Sequence, residues 1–341
     1  MKVLIADAFE REGIDALTAL GCEVVSEPGL RAEDLAGAMA SHNPGVVIVR
    51  STKFNKAAID AGDSLRLIIR AGSGYDNIDC EAASAKGVAV CNCPGMNAVA
   101  VAELAMGLLL CCDRRLPDQF NDLRAGNWDK KGYGKARGLK GRVLGIVGLG
   151  AIGKELAQRA SAFGMKIHVW SRSMTAARAA EIGAEWWGTS REDLFTLAES
   201  ADAVSVHVAL NDQTRGLCDT AFFDRLQRGA YFINTARGPV VDAEALSRAV
   251  RERGVRCGLD VWPEQPAPAD RVFSDPLIRL PGVYGSHHCG ASTDQAQMAV
   301  AEEAVRIVSV FLETGRFENR VNGPEVTPTV RAGRSAAKTA G

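Results

Sequence analysis

The stretch Val143-Leu144-Gly145-Ile146-Val147-Gly148-Leu149-Gly150-Ala151-Ile152-Gly153 decides the fold. Five largely apolar residues run into a G-x-G-x-x-G turn, residues 154–163 carry helical periodicity, and residues 165–170 are apolar again. In a strand, turn, helix and strand of this kind the first glycine permits a sharp bend and the second lets backbone approach a pyrophosphate. The third lets helix and strand pack closely. Gly148, Gly150 and Gly153 hold those places, with Ala151 and Ile152 between them also expected at the coenzyme, and the phosphates sit on free N–H groups at the helix start. A lone glycine turn would read as an ordinary connection. Flanked by both strands and the helix at βαβ spacing, it predicts a dinucleotide-binding unit.

The residue that ends the second strand selects the coenzyme. An acidic residue there would hold the ribose 2′-OH of NAD, whereas this chain places Ser171-Arg172-Ser173 after Trp170. No carboxylate is present to repel a 2′-phosphate, and Arg172 can pair with one. The reading favours NADP(H). NAD(H) stays open if Arg172 only faces solvent.

Working outward, 341 residues with 47% hydrophobic content suffice for two globular domains. A formal net charge of -1 leaves no basic excess to neutralise phosphates, which argues against nucleic acid. The first residues reach Asp7 too soon for a secretory signal, and the longest apolar run, 98–112, is broken by Glu103 and falls short of a membrane span. Nine cysteines without such a signal suggest reduced thiols and a cytoplasmic protein. Their spacing lacks paired C-x-x-C, so no structural metal is expected.

Short β-type runs at 3–6, 24–25, 46–49, 67–70 and 88–91 alternate with helical ones and imply a small open parallel α/β layer. Two of its strand ends carry unusual residues. Arg50 and Lys53 lie just past one, and Arg70-Ala71-Gly72-Ser73-Gly74-Tyr75-Asp76-Asn77 follows another, where backbone N–H groups could meet a carboxylate or merely connect strand to helix. After the glycine unit, strands at 203–207, 230–234, 256–261 and 283–285 bring the second sheet to about six, the count of a doubly wound Rossmann sheet. Ser190 and Asp193 resemble a capping box. Residues 113–140 read as a charged loop or, more sharply, a subunit-contact arm.

Redox chemistry on a 2-hydroxy acid needs a cation for the carboxylate and an acid/base for the hydroxyl proton. Arg237, in Asn234-Thr235-Ala236-Arg237-Gly238, follows a strand and offers a bidentate guanidinium. Of five histidines, His207 ends a strand and is placed to line the coenzyme cleft, while His287-His288 follow the last strand and are the best acid/base candidates.

Taken together, Arg70 to Asn77, the glycine turn, Asn234 to Gly238, Leu259-Asp260-Val261-Trp262 and His288-Cys289-Gly290-Ala291-Ser292-Thr293 resemble the D-isomer-specific 2-hydroxyacid dehydrogenases over residues 1–325, most closely the 3-phosphoglycerate branch without a regulatory domain. The resemblance implies two Rossmann-like α/β domains. A doubly wound coenzyme domain would span 98–292, and a smaller flavodoxin-like substrate domain would combine 1–97 with 293–321, followed by an extended tail at 322–341. It implies a homodimer through the coenzyme domain and a small 2-oxo or 2-hydroxy acid substrate of 3-phosphoglycerate, hydroxypyruvate or glyoxylate type. By the same resemblance Arg237 binds substrate, His288 exchanges the proton, Ser73 and Gly74 contact the carboxylate, and Arg50 and Lys53 match the region for a substrate phosphate. Asp260 would hold the nicotinamide amide, with Thr235, Ala236 and Gly290 also at the coenzyme.

One departure stands out. The family has a glutamate before the proline of its D-V-x-x-x-E-P loop, paired with the histidine; this chain reads Asp260-Val261-Trp262-Pro263-Glu264-Gln265-Pro266. Either Glu264 takes over through a shifted loop, or Gln265 meets His288 without a charge to stabilise imidazolium. The Gln-Pro-Ala-Pro ending also resembles formate dehydrogenases of the superfamily, a distant option. A nucleotide-sensing, non-catalytic relative is the alternative of a different class.

Overall fold

The computed structural model describes residues 1–266 and 272–323, and these fall into two compact units. Unit 1 joins residues 1–93 to the described chain from residue 301 onward, and unit 2 comprises Pro94–Val300. The division thus falls after Cys93 and within the helix Asp294–Thr314.

Unit 1 is built on β1 (Lys2–Ile5), β2 (Glu23–Ser26), β3 (Val46–Val49), β4 (Leu67–Arg70) and β5 (Ala89–Asn92), all parallel, in the order β2-β1-β3-β4-β5. That order is the flavodoxin-like one, whose ligands gather at the carboxyl edge. β1, β3 and β4 are apolar at nearly every position because helices cover both faces: Leu4, Val47, Val49 and Ile68 belong to one core cluster, while Val3, Ile5, Ile48 and Ile69 are buried opposite them. The free edge of β5 is closed by the chain itself. Arg320 bridges Cys91 in antiparallel sense, Val321 N–H donates to the Val90 carbonyl at 2.8 Å, and the Asn322 side chain accepts from Val90 N–H at 2.8 Å and donates to the Val88 carbonyl at 2.8 Å. Asn322 is therefore packed against the sheet rather than opening a tail, and the rest of the expected tail, from residue 324, lies outside the described residues.

Unit 2 holds β6 (Val143–Val147), β7 (Lys166–Trp170), β8 (Trp186–Gly188), β9 (Ala203–Val206), β10 (Tyr231–Asn234), β11 (Arg256–Leu259) and β12 (Val283–Gly285). Their order, β12-β11-β10-β9-β6-β7-β8, is the doubly wound Rossmann arrangement with a strand added beyond the expected six. The strand that sequence patterning misses is β8, three residues paired at the edge with His168 to Trp170. Neighbouring residues of β10 feed opposite cores. Phe232 packs edge-on to Phe223 with ring centroids 5.1 Å apart, while Tyr231 and Ile233 join the cluster under the helix Ala98–Arg114. That helix, expected to link domains, lies wholly in unit 2.

The stretch expected as charged loop contains the helices Leu116–Arg124, with Pro117 in its first turn, and Lys130–Tyr133. The Ser190 and Asp193 capping box is present in both directions. Among the described residues no helix is long and apolar enough to cross a membrane, and no cluster of His, Cys, Asp or Glu suits a metal ion.

Candidate active site

Because every strand of unit 2 is parallel, the carboxyl ends of β6, β9, β10, β11 and β12 share one edge, and each delivers candidate residues there. At the end of β6, Gly148 has φ +101° and an added Cβ would lie 2.7 Å from the His207 carbonyl oxygen. At Gly153 a Cβ would run into the Gly148 carbonyl. Both positions demand glycine for packing, whereas Gly150 has nothing within 4 Å of a built Cβ. The helix Ala151–Ala162 starts there with no side-chain cap on its first N–H groups. Open space over an uncapped helix start is what a pyrophosphate requires, so these residues fit a dinucleotide.

The β7 end places Ser171 half-buried, its N–H donating to the Gly188 carbonyl at 3.1 Å, and Arg172 exposed. Sequence reasoning missed Arg178. Its guanidinium donates to the Ser173 carbonyl at 2.6 Å, to Ser173 Oγ at 2.7 Å and to the Leu149 carbonyl, tying the loop after β7 to the glycine turn. The only sequence signal was an arginine one helical start past Ser173.

His207, after β9, has Nε2 2.8 Å from Ser205 Oγ and Nδ1 3.5 Å from Thr235 Oγ1. Burial pushes its pKa down to about 3, so it stays a neutral imidazole bridging two strand ends. Thr235 and Ala236 are buried beside it.

The Arg237 turn is held by Asn234, only 1% exposed. Asn234 Oδ1 accepts from Ala236 N–H at 3.0 Å and its amide donates to the Arg237 carbonyl at 3.0 Å. The half-buried Arg237 guanidinium donates to the Ala236 carbonyl at 2.8 Å. Gly238 packs so closely on the Trp262 carbonyl that no side chain could fit. Trp262 in turn donates through Nε1 to the Ser286 carbonyl at 3.0 Å, and its ring fills the space beside Gly285.

Asp260 is the other half of this strut. Buried at 2% exposure, its Oδ1 accepts from Ser286 Oγ at 2.6 Å and Cys289 N–H at 2.9 Å, and Oδ2 from Gly290 N–H at 2.9 Å. Its carbonyl accepts from His288 N–H at 2.8 Å. The structure thus gives Asp260 and Gly290 a bracing task that the sequence did not reveal, with one acceptor position of Oδ2 beyond these bonds. The brace holds His288 at φ +53°, a left-handed conformation costing about 1–3 kcal/mol outside glycine. His288 Nδ1 lies 2.7 Å and 3.0 Å from the two amide atoms of Gln265, while Glu264 is exposed. A neutral amide can accept from Nδ1–H or donate to bare Nδ1, so it orients the ring through that atom in either protonation state.

In unit 1, Ser73 Oγ donates to the Cys93 carbonyl at 3.4 Å, and the Asn92 amide donates to the Ser73 carbonyl at 2.7 Å. Gly74 follows, half-buried, and Arg50 and Lys53 flank the loop after β3.

Comparison with known proteins places this geometry. The model of the D-isomer specific 2-hydroxyacid dehydrogenase NAD binding domain matches residues 106–290. A D-3-phosphoglycerate dehydrogenase of Methanocaldococcus jannaschii is 36% identical over 328 residues, 96% of this chain, and the chain spans 60% of that relative's length. A hydroxypyruvate reductase of Thermotoga maritima is 40% identical over 272 residues, covering 79% of this chain and 85% of the relative. The crystal structure of cofactor (NAD+) bound 3-phosphoglycerate dehydrogenase from Entamoeba histolytica superposes with a TM-score of 0.78 at 28% identity, covering 95% of this chain and 99% of that one. The chain belongs to the D-isomer specific 2-hydroxyacid dehydrogenase family.

Proposed function

We propose that the chain is a nicotinamide-dependent dehydrogenase that moves a hydride between the coenzyme and C2 of a D-2-hydroxy acid or its 2-oxo acid. The observation that carries this reading is the Asp260–Trp262 strut, which fixes the Arg237 turn through Gly238 and the His288 loop through Asp260. Bound nicotinamide supplies or takes the hydride. Arg237 binds the carboxylate and carbonyl of the 2-oxo acid, with Ser73 and Gly74 at the carboxylate and Arg50 and Lys53 at whatever the substrate carries beyond C2. His288 gives the proton from Nε2 to the oxygen at C2, and Gln265 orients the ring through Nδ1. Gly148, Gly150, Ala151, Ile152 and Gly153 hold the pyrophosphate. A screen of glyoxylate, hydroxypyruvate and its 3-phosphate against both reduced coenzymes tests the assignment; turnover of one or more is expected, and turnover of none rejects it.

Gln265 shapes the pH profile. Reduction needs protonated His288, so its rate falls as pH rises through that group's pKa. Gln265→Glu adds a negative charge beside Nδ1, favours imidazolium and should move this limb upward by about one pH unit. An unmoved limb would remove Gln265 from the acid/base account.

NADP(H) is the preferred coenzyme in this reading, supported by the absence of a carboxylate at 171–173 and by Arg172 and Arg178 nearby. Ser171→Asp combined with Arg172→Ala should lower kcat/KM for NADPH about 10- to 100-fold and raise that for NADH. A strong NADH preference in the unmodified protein overturns this choice.

The partner is a second copy. The helix Leu116–Arg124 buries none of its residues, leaving Phe120 and Leu123 exposed, and Trp128 beyond it is 80% exposed. Phe120→Glu with Leu123→Glu should convert a dimer to a monomer by light scattering; a wild-type monomer, or an unchanged dimer, contradicts the assignment.

A further inference from the structure

The proposed catalytic groups of unit 2 leave unexplained a dense polar framework in unit 1, at the carboxyl ends of β1, β3 and β4. Asp7 stands two residues past β1, and β3 is the neighbouring strand. Asp7 Oδ2 accepts from the backbone N–H groups of Arg50 at 2.6 Å, Ser51 at 3.2 Å and Thr52 at 3.2 Å. Its Oδ1 accepts from the hydroxyls of Ser51 at 3.2 Å and Thr52 at 2.9 Å. One carboxylate therefore gathers five donors from three consecutive residues.

The far side of the same loop is held by Asn77, whose side-chain amide donates to the Thr52 carbonyl at 2.9 Å and whose backbone carbonyl accepts from Phe54 N–H at 2.8 Å. Asn77 closes the glycine-rich turn that contains Ser73 and Gly74. The Ser73 carbonyl is in turn fixed by Asn92 at the end of β5. Three loops from three neighbouring strands are thus laced in one series: Asp7, the 50–54 segment, Asn77, then the Ser73 turn.

Three successive N–H groups aimed at one point make the kind of concavity that binds oxyanions. Here the chain's own carboxylate fills it. A substrate anion cannot use those N–H groups, so the cations this loop offers to a distal charge are Arg50 and Lys53, at the two ends of the pinned segment.

We propose that Asp7, with Asn77, is a positioning residue that fixes the Arg50–Lys53 segment relative to the Ser73–Gly74 turn and thereby selects 2-oxo acids by the group they carry at C3. The inference rests on the hydroxyacid reading of the site. A substrate with a C3 phosphate spans both loops and feels their spacing; glyoxylate, with nothing beyond its carbonyl carbon, does not.

The test is a ratio. For wild type, Asp7→Asn, Asp7→Ala and Asn77→Ala, kcat and KM are measured with the 3-phosphate of hydroxypyruvate and with glyoxylate, alongside Tm. Asp7→Ala should lower the ratio of kcat/KM for the phosphorylated acid over glyoxylate by about 10-fold, mainly through KM. Asp7→Asn, which keeps one acceptor oxygen, should fall between it and wild type, and Asn77→Ala should move the ratio in the same direction. Proportional losses on both substrates would assign Asp7 to folding and overturn the proposal, as would an unmoved ratio. If Asp7→Ala does not fold, Asp7→Asn and Asn77→Ala decide. Calorimetric binding of 3-phosphoglycerate to the full chain separates the two levels of inference. Wild-type turnover of no 2-oxo acid ends the hydroxyacid reading, while binding weakened by Asp7→Asn still supports the positioning and binding left unchanged overturns it.

Discussion

Replacement of His288 by asparagine should lower kcat for 2-oxo acid reduction by about 10²–10⁴-fold, the usual contribution of a positioned acid/base, with coenzyme binding retained. Asparagine is the informative substitution because the position has φ +53°, a conformation it tolerates better than most residues. The loop does not depend on the imidazole for its shape. Its frame is the backbone N–H of His288 on the Asp260 carbonyl, together with Ser286, Cys289 and Gly290 on the Asp260 carboxylate. His288→Ala should be equally inactive and somewhat less stable, since alanine pays the left-handed cost without relief. Steady-state kinetics with fluorescence titration of the reduced coenzyme checks both points. A kcat within tenfold of wild type would exclude His288 as the proton donor.

Loss of Arg237 should be comparably damaging. Arg237→Ala is expected to reduce kcat/KM about 10²–10³-fold or more, because a cation aimed at a developing oxyanion acts most strongly in the transition state. Arg237→Lys should recover only part of this, since an ammonium lacks the planar fork that matches a carboxylate. The turn survives either change, because Asn234 holds its backbone from both sides and Gly238 is locked against Trp262. Unfolding midpoints close to wild type are therefore expected for both variants. Comparable activity of wild type and Arg237→Ala would mark the guanidinium as a surface group.

Much of this architecture was legible because parallel strands buried on both faces write continuous apolar runs, as at Val46–Val49 and Tyr231–Asn234. The glycine unit was legible because Gly148 and Gly153 answer to local packing. Its helix begins at Ala151, earlier than residue 154, because periodicity counts apolar side chains while the helix recruits the closing residues of the turn. β8 escaped notice since three residues cannot establish a period. Departure from the expected glutamate at Gln265 was visible in sequence, but which neighbour meets His288 depends on the course of a loop. The bracing done by Asp7 and Asp260 was not legible for a common reason: most of their partners are backbone N–H groups 43–45 and 29–30 residues away, and backbone donors leave no mark in a sequence.

The central claim, that Arg237 and His288 serve one hydride transfer at C2, is tested most directly by following NADPH consumption with hydroxypyruvate and determining the configuration of the product for wild type, Arg237→Ala and His288→Asn. Steady consumption by wild type, matched mole for mole by a D-2-hydroxy acid and lost in both variants, is the predicted result. Saturable coenzyme binding with no consumption of hydroxypyruvate, glyoxylate or the phosphorylated acid would contradict it and point instead to a protein that reads the nucleotide without using it.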